Sequence, residues 1–302
     1  MSAESRGLIV HAQRFSLHDG PGIRTTVFFK GCPLHCTWCQ NPESVCPKPE
    51  LMFFADRCEA RAECLRVCPQ AALQSGDQRI DRERCDGCGI CVEACAGGAL
   101  QQVGREVSPR GLLDEILRDE AFFRSSGGGV TLSGGEATAQ MAFMDAFTRL
   151  CADAEVPVGL ETCGAFRWRA FAPMLPRLAF IWFDLKLMDR AAHRKATGAD
   201  NRVILANARR LLDRGAPVTF RMPVIPGHND GEDNLTATAA WLLDADAGPL
   251  HLLRYHRMGG LKAARLGVAS LDIPAQVADM ALERAAAHLS EAGVAVVRPT
   301  AA

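Results

Sequence analysis

Short apolar runs recur along the chain at intervals that suit buried strands. The first covers residues 24–30 (RTTVFFK) and is rich in β-branched and aromatic side chains, which favour strand structure. Six further runs predict strands at residues 130–133, 157–161, 179–184, 218–222, 251–255 and 294–297.

Segments with helical periodicity lie between these runs. In the clearest one, Ser108 suits the N-cap and Pro109 the first helical position. An apolar face then follows at Leu112, Leu113 and Ile116. Similar patterns predict helices near residues 139–154, 166–175, 203–214, 232–243 and 274–292.

Strands that alternate with helices predict βαβ units and a parallel sheet. Right-handed crossovers would curl six such units into a partial (β/α)6 parallel barrel, which makes the predicted fold class α/β. A cysteine-dense stretch at residues 51–103 interrupts the pattern. The sequence thus predicts the start of a barrel at residues 1–50, a small insert at 51–103, and the rest of the barrel at 104–302.

Composition narrows the class of protein. Of the 302 residues, 48% are hydrophobic and 23% charged, which is typical of a folded chain with a sizeable core. The net charge is −1 and the basic residues are dispersed, so no nucleic-acid partner is expected. The first ten residues lack an apolar leader segment and no apolar run is long enough to span a bilayer, so we expect a cytoplasmic protein with no membrane partner.

Thirteen cysteines are unusual for a cytoplasmic chain, and eleven of them lie between Cys32 and Cys95. A disulfide framework is the simplest alternative, but it is typical of short secreted chains. The sequence therefore favours ligation of metals or iron–sulfur clusters.

Polar and glycine-rich clusters follow the predicted strands. They are Cys32–Cys39, Gly134–Glu136, residues 161–164 (ETCG), Asp184 with Lys186, Arg221, and Tyr255 with His256. Parallel α/β barrels build their active sites at the carboxyl ends of their strands. Convergence of all these clusters on one rim predicts an enzyme.

The segment GCPLHCTWCQNP places Cys32, Cys36 and Cys39 after the first predicted strand. Three thiolates suit a soft metal centre, and on a cubane of four irons they leave one iron open. An open iron can bind the amino and carboxylate groups of S-adenosylmethionine. Tetrahedral zinc, with His35 as a fourth ligand, is the alternative.

This segment resembles the CxxxCxxC signature of the radical S-adenosylmethionine superfamily. Five companion segments resemble motifs of the glycyl-radical enzyme activating enzymes. These segments are HDGPGIR at 18–24, SGGE at 133–136, ETCG at 161–164, DLK at 184–186 and YHRMG at 255–259. The resemblance implies a 4Fe–4S cluster that binds S-adenosylmethionine and cleaves it reductively to a 5′-deoxyadenosyl radical. It also implies hydrogen abstraction from a backbone glycine of a partner glycyl-radical enzyme, with flavodoxin or ferredoxin as the electron donor.

The resemblance assigns roles along the rim. Gly134, Gly135 and Glu136 would meet the amino group of the cofactor, and the alternative is an ordinary strand-to-helix turn with a capping glutamate. Asp184 and Lys186 would contact the cofactor or form a structural ion pair. Some relatives hold a monovalent cation at the positions of Glu161, Thr162 and Asp184.

Four further residues have both a functional and a structural interpretation. Arg221 suits the carboxylate or ribose of the cofactor, or a salt bridge. His256 resembles a cofactor-contacting histidine, and Trp38 lies where an aromatic ring packs on the adenine or simply in the core. Asp19 would lie near the incoming glycyl loop, or it would only form the Asp-Gly-Pro-Gly turn.

The insert contains a second cysteine pattern. Residues 85–95 (CDGCGICVEAC) match the bacterial ferredoxin run, whose fourth cysteine binds the other cluster of a pair. Applied here, the rule predicts one 4Fe–4S cluster on Cys68, Cys85, Cys88 and Cys91. A second set contains only Cys58, Cys64 and Cys95, because Arg61 occupies the position of the missing cysteine.

One or two auxiliary 4Fe–4S clusters are therefore expected in a ferredoxin-like insert. In the second set, Cys46 could replace the missing ligand, an iron could be lost, or the cluster could be absent. A zinc ribbon is the alternative for the whole insert.

The leading hypothesis is a glycyl-radical activase. A radical S-adenosylmethionine enzyme that acts on a small molecule is the first alternative, and it would need a closed pocket. An iron–sulfur electron carrier is the second alternative. Such a carrier would not need the groups of polar residues on the rim.

Overall fold

The computed structural model describes residues 5–76 and 79–299; residues 1–4, part of the stretch used to judge a leader peptide, lie outside this range. The strands are β1 Gly7–Ser16, β2 Arg24–Phe29, β3 Glu50–Phe53, β4 Leu100–Val103, β5 Arg105–Val107, β6 Gly129–Gly134, β7 Val158–Thr162, β8 Leu178–Asp184, β9 Val218–Val224, β10 Leu250–Arg254 and β11 Val296–Val297. The α-helices are α1 Glu63–Val67, α2 Ile90–Glu93, α3 Pro109–Ile116, α4 Glu120–Ser126, α5 Met141–Asp153, α6 Trp168–Phe171, α7 Arg190–Thr197, α8 Arg202–Asp213, α9 Glu232–Asp244, α10 Met258–Leu266 and α11 Ala275–Glu291.

Nine strands form one sheet in the order β11-β10-β9-β8-β7-β6-β2-β1-β5. From β2 to β11 every neighbouring pair is parallel, which confirms the predicted α/β class and its parallel sheet. The two remaining strands, β1 and β5, extend the sheet in antiparallel fashion beyond β2.

Helices pack their apolar faces on this sheet. Ser108 caps α3 as predicted, because its side chain accepts a hydrogen bond from the backbone N–H of Gly111 at 3.0 Å. Leu112, Leu113 and Ile116 of the same helix are buried in the main core. Among the helices of the described residues, none is both long and apolar enough to cross a bilayer.

The cysteine-rich stretch leaves the large sheet and returns to it through a two-stranded ladder. In this ladder β3 pairs antiparallel with β4, so that Glu50 lies opposite Val103 and Phe53 opposite Leu100. Between them, a small core contains Leu51, Leu100 and two cysteine side chains. An apolar core this small needs help from cross-links or metal centres to be stable.

The sheet curls so that its distant strands share one rim. In sheet order, β2 and β10 are separated by four other strands, which would place them more than about 20 Å apart in a flat sheet. Nevertheless, α10, which follows β10, touches the cysteine loop that follows β2. The backbone N–H of Gly259 donates to Gln40 Oε1 at 3.2 Å, and Lys262 Nζ donates to Asn41 Oδ1 at 2.8 Å.

Candidate active site

A cleft lies on the rim formed by the carboxyl ends of the parallel strands. It encloses about 860 Å³ of space free of protein atoms, part of it open to solvent. Its lining includes Cys32, Cys36, Trp38, Cys39, Ser133, Gly134, Gly135, Glu136, Glu161, Thr162, Cys163, Asp184, Lys186 and Arg221. The structure therefore brings together most of the predicted rim residues, from β2, β6, β7, β8 and β9.

The cysteine loop is fixed by its backbone. The N–H of His35 donates to the carbonyl of Thr197 at 2.7 Å, and that of Thr37 donates to Ala196 at 3.1 Å. Both acceptors belong to the last turn of α7, whose carbonyls have no partners within the helix. The loop and α7 thus satisfy each other's backbone groups, and all three cysteines are held facing the cleft.

Burial and hydrogen bonding shift the pKa values of the three thiols of this loop in different directions. Burial raises the pKa of Cys36, and it raises that of Cys39 to about 12. A hydrogen bond from the Cys163 thiol lowers the pKa of Cys32. The raised pKa values keep the thiols of Cys36 and Cys39 protonated until a bound metal displaces the protons, since the thiolate is the ligand form.

Gly134 and Gly135 allow β6 to pack against the cysteine loop. Gly134 has a φ of +98°, and a Cβ there would lie 2.4 Å from the backbone nitrogen of Phe29. A Cβ on Gly135 would lie 2.5 Å from the carbonyl oxygens of Gly31 and Ser44. The glycines are thus required by contacts within the chain itself, whatever ligand they also meet.

Gly135→Ala is expected to destabilise the fold by about 1–3 kcal/mol, because the added methyl must displace two backbone carbonyls at the base of the cysteine loop. Gly260→Ala is the matched control, since a Cβ there meets nothing closer than Ser270 Oγ at 3.7 Å, and alanine favours the helix. Urea denaturation of both variants measures the difference. Equal stability of Gly135→Ala and the wild type would contradict the proposed close packing.

Glu136 is a buried structural acceptor. Its carboxylate accepts hydrogen bonds from Thr138 Oγ1 at 2.7 Å, from Thr162 Oγ1 at 2.9 Å and from the backbone N–H of Cys163 at 2.8 Å. It also caps the short helical turn that begins at Ala137. The capping interpretation of this residue is therefore supported by geometry, and the carboxylate joins the ends of β6 and β7.

Arg221 is the centre of a largely buried ion network. Its Nη1 donates to Glu161 Oε1 at 2.8 Å, and its Nε and Nη2 donate to Asp184 Oδ1 at 3.1 and 3.0 Å. Ser133 Oγ donates to the other oxygen of Glu161 at 2.5 Å, and Lys186 Nζ lies 3.5 Å from Asp184 Oδ2. The ends of four strands are thus tied together by charge.

This network sets the charge state of the cleft. Burial alone would raise the pKa of Asp184, but Arg221 and Lys186 hold it below its usual value. Burial would lower the pKa of Lys186, but Asp184 and the cysteine thiols raise it. Lys186 therefore stays protonated and presents a positive charge to Cys32 and Cys36.

The remaining predicted residues are placed differently. Trp38 lines the cleft and is almost fully buried, with its ring centroid 5.7 Å from that of His228. His256 does not line the cleft, and its Nδ1 is buried without a hydrogen-bond partner. Asp19 does not line the cleft either. Its carboxylate accepts a hydrogen bond from Thr26 Oγ1 at 2.6 Å. A role for His256 or Asp19 stays a prediction.

The cysteines of the insert gather in two groups. Burial raises the pKa of Cys91 to about 11, with further contributions from the charges of Cys68, Cys85 and Cys88. Three other cysteines line a separate small cavity, namely Cys58, Cys64 and Cys95. A pair of ferredoxin-like clusters on these cysteines stays a prediction. No set of three or more His, Cys, Asp or Glu side chains within 5–76 and 79–299 is arranged to hold a single metal ion.

The donor set of the cleft fits a cluster with one open iron. The three thiols of the cysteine loop line it beside a buried ammonium group, and a fourth thiol, that of Cys163 at the end of β7, also lines it but lies outside the loop. Soft thiolates are the ligands that iron–sulfur clusters prefer, and adjacent positive charge favours their anionic form.

Sequence reasoning missed the pairing of Arg221 with Glu161 and Asp184, because the three residues are far apart along the chain.

Comparisons with known proteins agree with this site. The sequence pattern of the Radical SAM superfamily matches residues 26–239. The trans-4-hydroxy-L-proline dehydratase activating enzyme of Clostridioides difficile is 40% identical over 257 residues, covering 83% of this chain and 85% of that protein. The isethionate sulfite-lyase activating enzyme of Nitratidesulfovibrio vulgaris is 39% identical over 269 residues, covering 86% and 87%. The benzylsuccinate synthase activating enzyme of Thauera aromatica is 42% identical over 273 residues, covering 86% and 82%.

The fold, the three-cysteine loop and these matches define a radical S-adenosylmethionine enzyme. Within that superfamily, the chain belongs to the activating enzymes of glycyl-radical enzymes.

Proposed function

We propose that this chain activates a glycyl-radical enzyme through a 4Fe–4S cluster held by Cys32, Cys36 and Cys39, with S-adenosylmethionine on the open iron. The observation that carries the proposal is the convergence of the three thiols with Lys186 in one open cleft. A cleft open to solvent can admit a peptide loop, which a closed small-molecule pocket cannot.

When bound, the reduced cluster supplies the electron that cleaves S-adenosylmethionine to methionine and a 5′-deoxyadenosyl radical, which removes hydrogen from the partner's glycine. The chain's own residues hold the cluster and orient the rim around it. Lys186 offsets the negative charge that three thiolates bring into a poorly solvated site. The Arg221 network fixes the rim, since its guanidinium bridges two carboxylates with a planar fork.

The cofactor contacts follow from the resemblance and from what lines the cleft. We place the methionine amino group near the backbone of Gly134 and Gly135 and the adenine near Trp38, all of which line the same space. His256 does not line this space, so a contact between its imidazole and the cofactor is proposed from the resemblance alone. A monovalent cation beside Glu161 and Asp184 has less support, because Arg221 and Lys186 already pair with these carboxylates.

The insert is proposed to carry an auxiliary 4Fe–4S cluster on its complete thiolate set, which is Cys68, Cys85, Cys88 and Cys91. Flavodoxin or ferredoxin is the proposed electron donor. A cytoplasmic location, where thiols stay reduced, suits a chain with this many ligating cysteines.

The decisive experiment uses the reconstituted protein under anaerobic, reducing conditions with S-adenosylmethionine. Candidate partners are glycyl-radical enzymes of the kinds that the relatives activate, such as a hydroxyproline dehydratase or a benzylsuccinate synthase. We expect release of 5′-deoxyadenosine together with a glycyl doublet in the electron paramagnetic resonance spectrum of one partner. Absence of 5′-deoxyadenosine would reject radical chemistry, whereas its release without a glycyl signal on any partner would favour a small-molecule substrate.

A further inference from the structure

A second cavity lies inside the insert, away from the active-site cleft. It has about 310 Å³ of free space, part of it open to solvent, and three of its lining residues are Cys58, Cys64 and Cys95. Arg61 and Arg79 also line it. Two arginines and three cysteines thus surround one small space.

Arg79 is the informative residue, because it is a cation inside a small core. Its exposure is 7%, and its Nη2 donates to Cys64 Sγ at 3.1 Å. Its Nε is buried with no hydrogen-bond partner, and the guanidinium carbon lies 5.9 Å from the ring centroid of Phe53. Within the described residues, no carboxylate forms an ion pair with it.

A buried guanidinium without an anion is strongly unfavourable. Two carboxylates also line the cavity, but Glu59 pairs with Arg61 and Glu63 with Arg66, so that the Nη2 of Arg79 donates only to the thiol of Cys64 among the described residues. Thiolates that bind iron would supply the missing negative charge, because three thiolates outweigh the charge of an oxidised 4Fe–4S core. The orphaned donor and the empty space therefore point to the same anionic occupant.

The fourth ligand position is open. Arg61 occupies the place of the absent cysteine, and its exposed side chain pairs with Glu59 at 2.6 Å. Cys46 does not line this cavity. It interacts electrostatically with Arg82, which interacts in the same way with Cys85 of the other cysteine group. Cys46 is therefore badly placed to complete the set, contrary to one of the options raised by the sequence.

We propose that the cavity binds an iron–sulfur cluster through Cys58, Cys64 and Cys95 only, that the corner beside Arg61 leaves one iron without a thiolate, and that Arg79 provides the positive charge that retains the cluster. The chemistry of the main active site does not enter this inference. Failure of the activase proposal would leave it intact.

An iron without a thiolate is the one that leaves on oxidation. Brief treatment with ferricyanide should convert the [4Fe–4S]²⁺ cluster to [3Fe–4S]⁺, with release of one Fe²⁺ and transfer of one electron to ferricyanide. The [3Fe–4S]⁺ product has its own electron paramagnetic resonance signal. The complete set of four thiolates in the insert should resist the same treatment.

The test uses full-length protein in which Cys32, Cys36 and Cys39 are all alanine, because the main site would give the same signal. Reconstituted anaerobically and then oxidised, this variant should show the [3Fe–4S]⁺ signal. Adding Arg61→Cys should remove the signal and retain the iron, since the fourth thiolate is restored. Adding Cys64→Ala should remove both the signal and the iron of this site.

Arg79→Leu should lower the [3Fe–4S]⁺ signal about tenfold, and Arg79→Lys should recover part of it, since the charge rather than the shape is responsible.

Absence of the signal in the parent variant, with iron bound only at the complete set, would overturn the proposal. An unchanged signal after Arg61→Cys would overturn the assignment of the open corner. If the triple-alanine variant fails to fold, comparing otherwise wild-type protein with Arg61→Cys gives the same decision, because only the signal of the main site should then remain.

Discussion

Cys36→Ala is expected to abolish cleavage of S-adenosylmethionine and formation of the glycyl radical, both to the level of the protein-free blank. Two thiolates cannot hold a cubane with one defined open iron, and Cys36 faces the same cleft as Cys32 and Cys39. Iron content after reconstitution should fall by about one cluster. Chromatography of 5′-deoxyadenosine and an iron assay measure the two effects.

Cys46→Ala is the matched control for this variant. Cys46 is a neighbouring cysteine that lines neither the active-site cleft nor the cavity of the insert. Its replacement should leave both cofactor cleavage and iron content close to wild type. A Cys36→Ala protein that still cleaved the cofactor would show that the cluster is held elsewhere. A Cys46→Ala protein that lost activity would show that Cys46 is wrongly assigned as a cysteine that binds no cluster.

The strands and helices predicted from apolar periodicity are present because burial dominates their sequences. Strand β8, for example, is an apolar run whose Ile181 and Phe183 are fully buried. Among the elements that the prediction missed are β1, α7 and α10. Strand β1 carries His11, Gln13 and Arg14 and is only partly buried, so hydrophobicity gives it a weak signal.

The two missed helices have other causes. Helix α7 (RAAHRKAT) is short and strongly polar, and it is fixed by its contacts with the cysteine loop, which local sequence cannot reveal. Helix α10 contains Gly259 and Gly260 near its start, and glycine is a poor helix former. Tertiary contacts with Gln40 and Asn41 decide this helix.

Candidate site residues could be located from the sequence because the carboxyl ends of parallel strands share one rim. Their partners could not be. The role of Glu136 as an acceptor for Thr162 and Cys163 depends on which strands are neighbours, and that is a property of the sheet. That Arg79 forms no ion pair within residues 5–76 and 79–299 is likewise invisible in a sequence with many arginines.

Arg221→Met is expected to destabilise the protein by about 3 kcal/mol at neutral pH. It would remove the cation that bridges Asp184 and Glu161, and it would leave two largely buried carboxylates with Lys186 alone. Removing one partner of a buried ion pair typically costs about 3–5 kcal/mol. The lower end applies here, because the two carboxylate side chains keep 23% and 17% of their exposure.

The pH dependence of this deficit distinguishes charge from packing. In the wild type, Arg221 and Lys186 lower the pKa of Asp184, so the stability that Asp184 contributes is present at neutral pH and is lost as pH falls through the lowered pKa. Without Arg221, Asp184 is protonated more easily, and the deficit should shrink as the pH falls from neutral towards the ordinary range of an aspartate. A deficit that did not change with pH would assign the effect to packing against Trp182, which lies under the guanidinium at 4.8 Å.

Two further variants complete the measurement by urea denaturation. Arg298→Ala breaks an exposed pair with Glu283 and should change stability by no more than about 0.5 kcal/mol. Adding Asp184→Asn to Arg221→Met should recover part of the loss, because one uncompensated charge is then removed. If instead the double variant were less stable by the sum of both single effects, the two side chains would not be coupled, and the ion network could not be what holds these strand ends together.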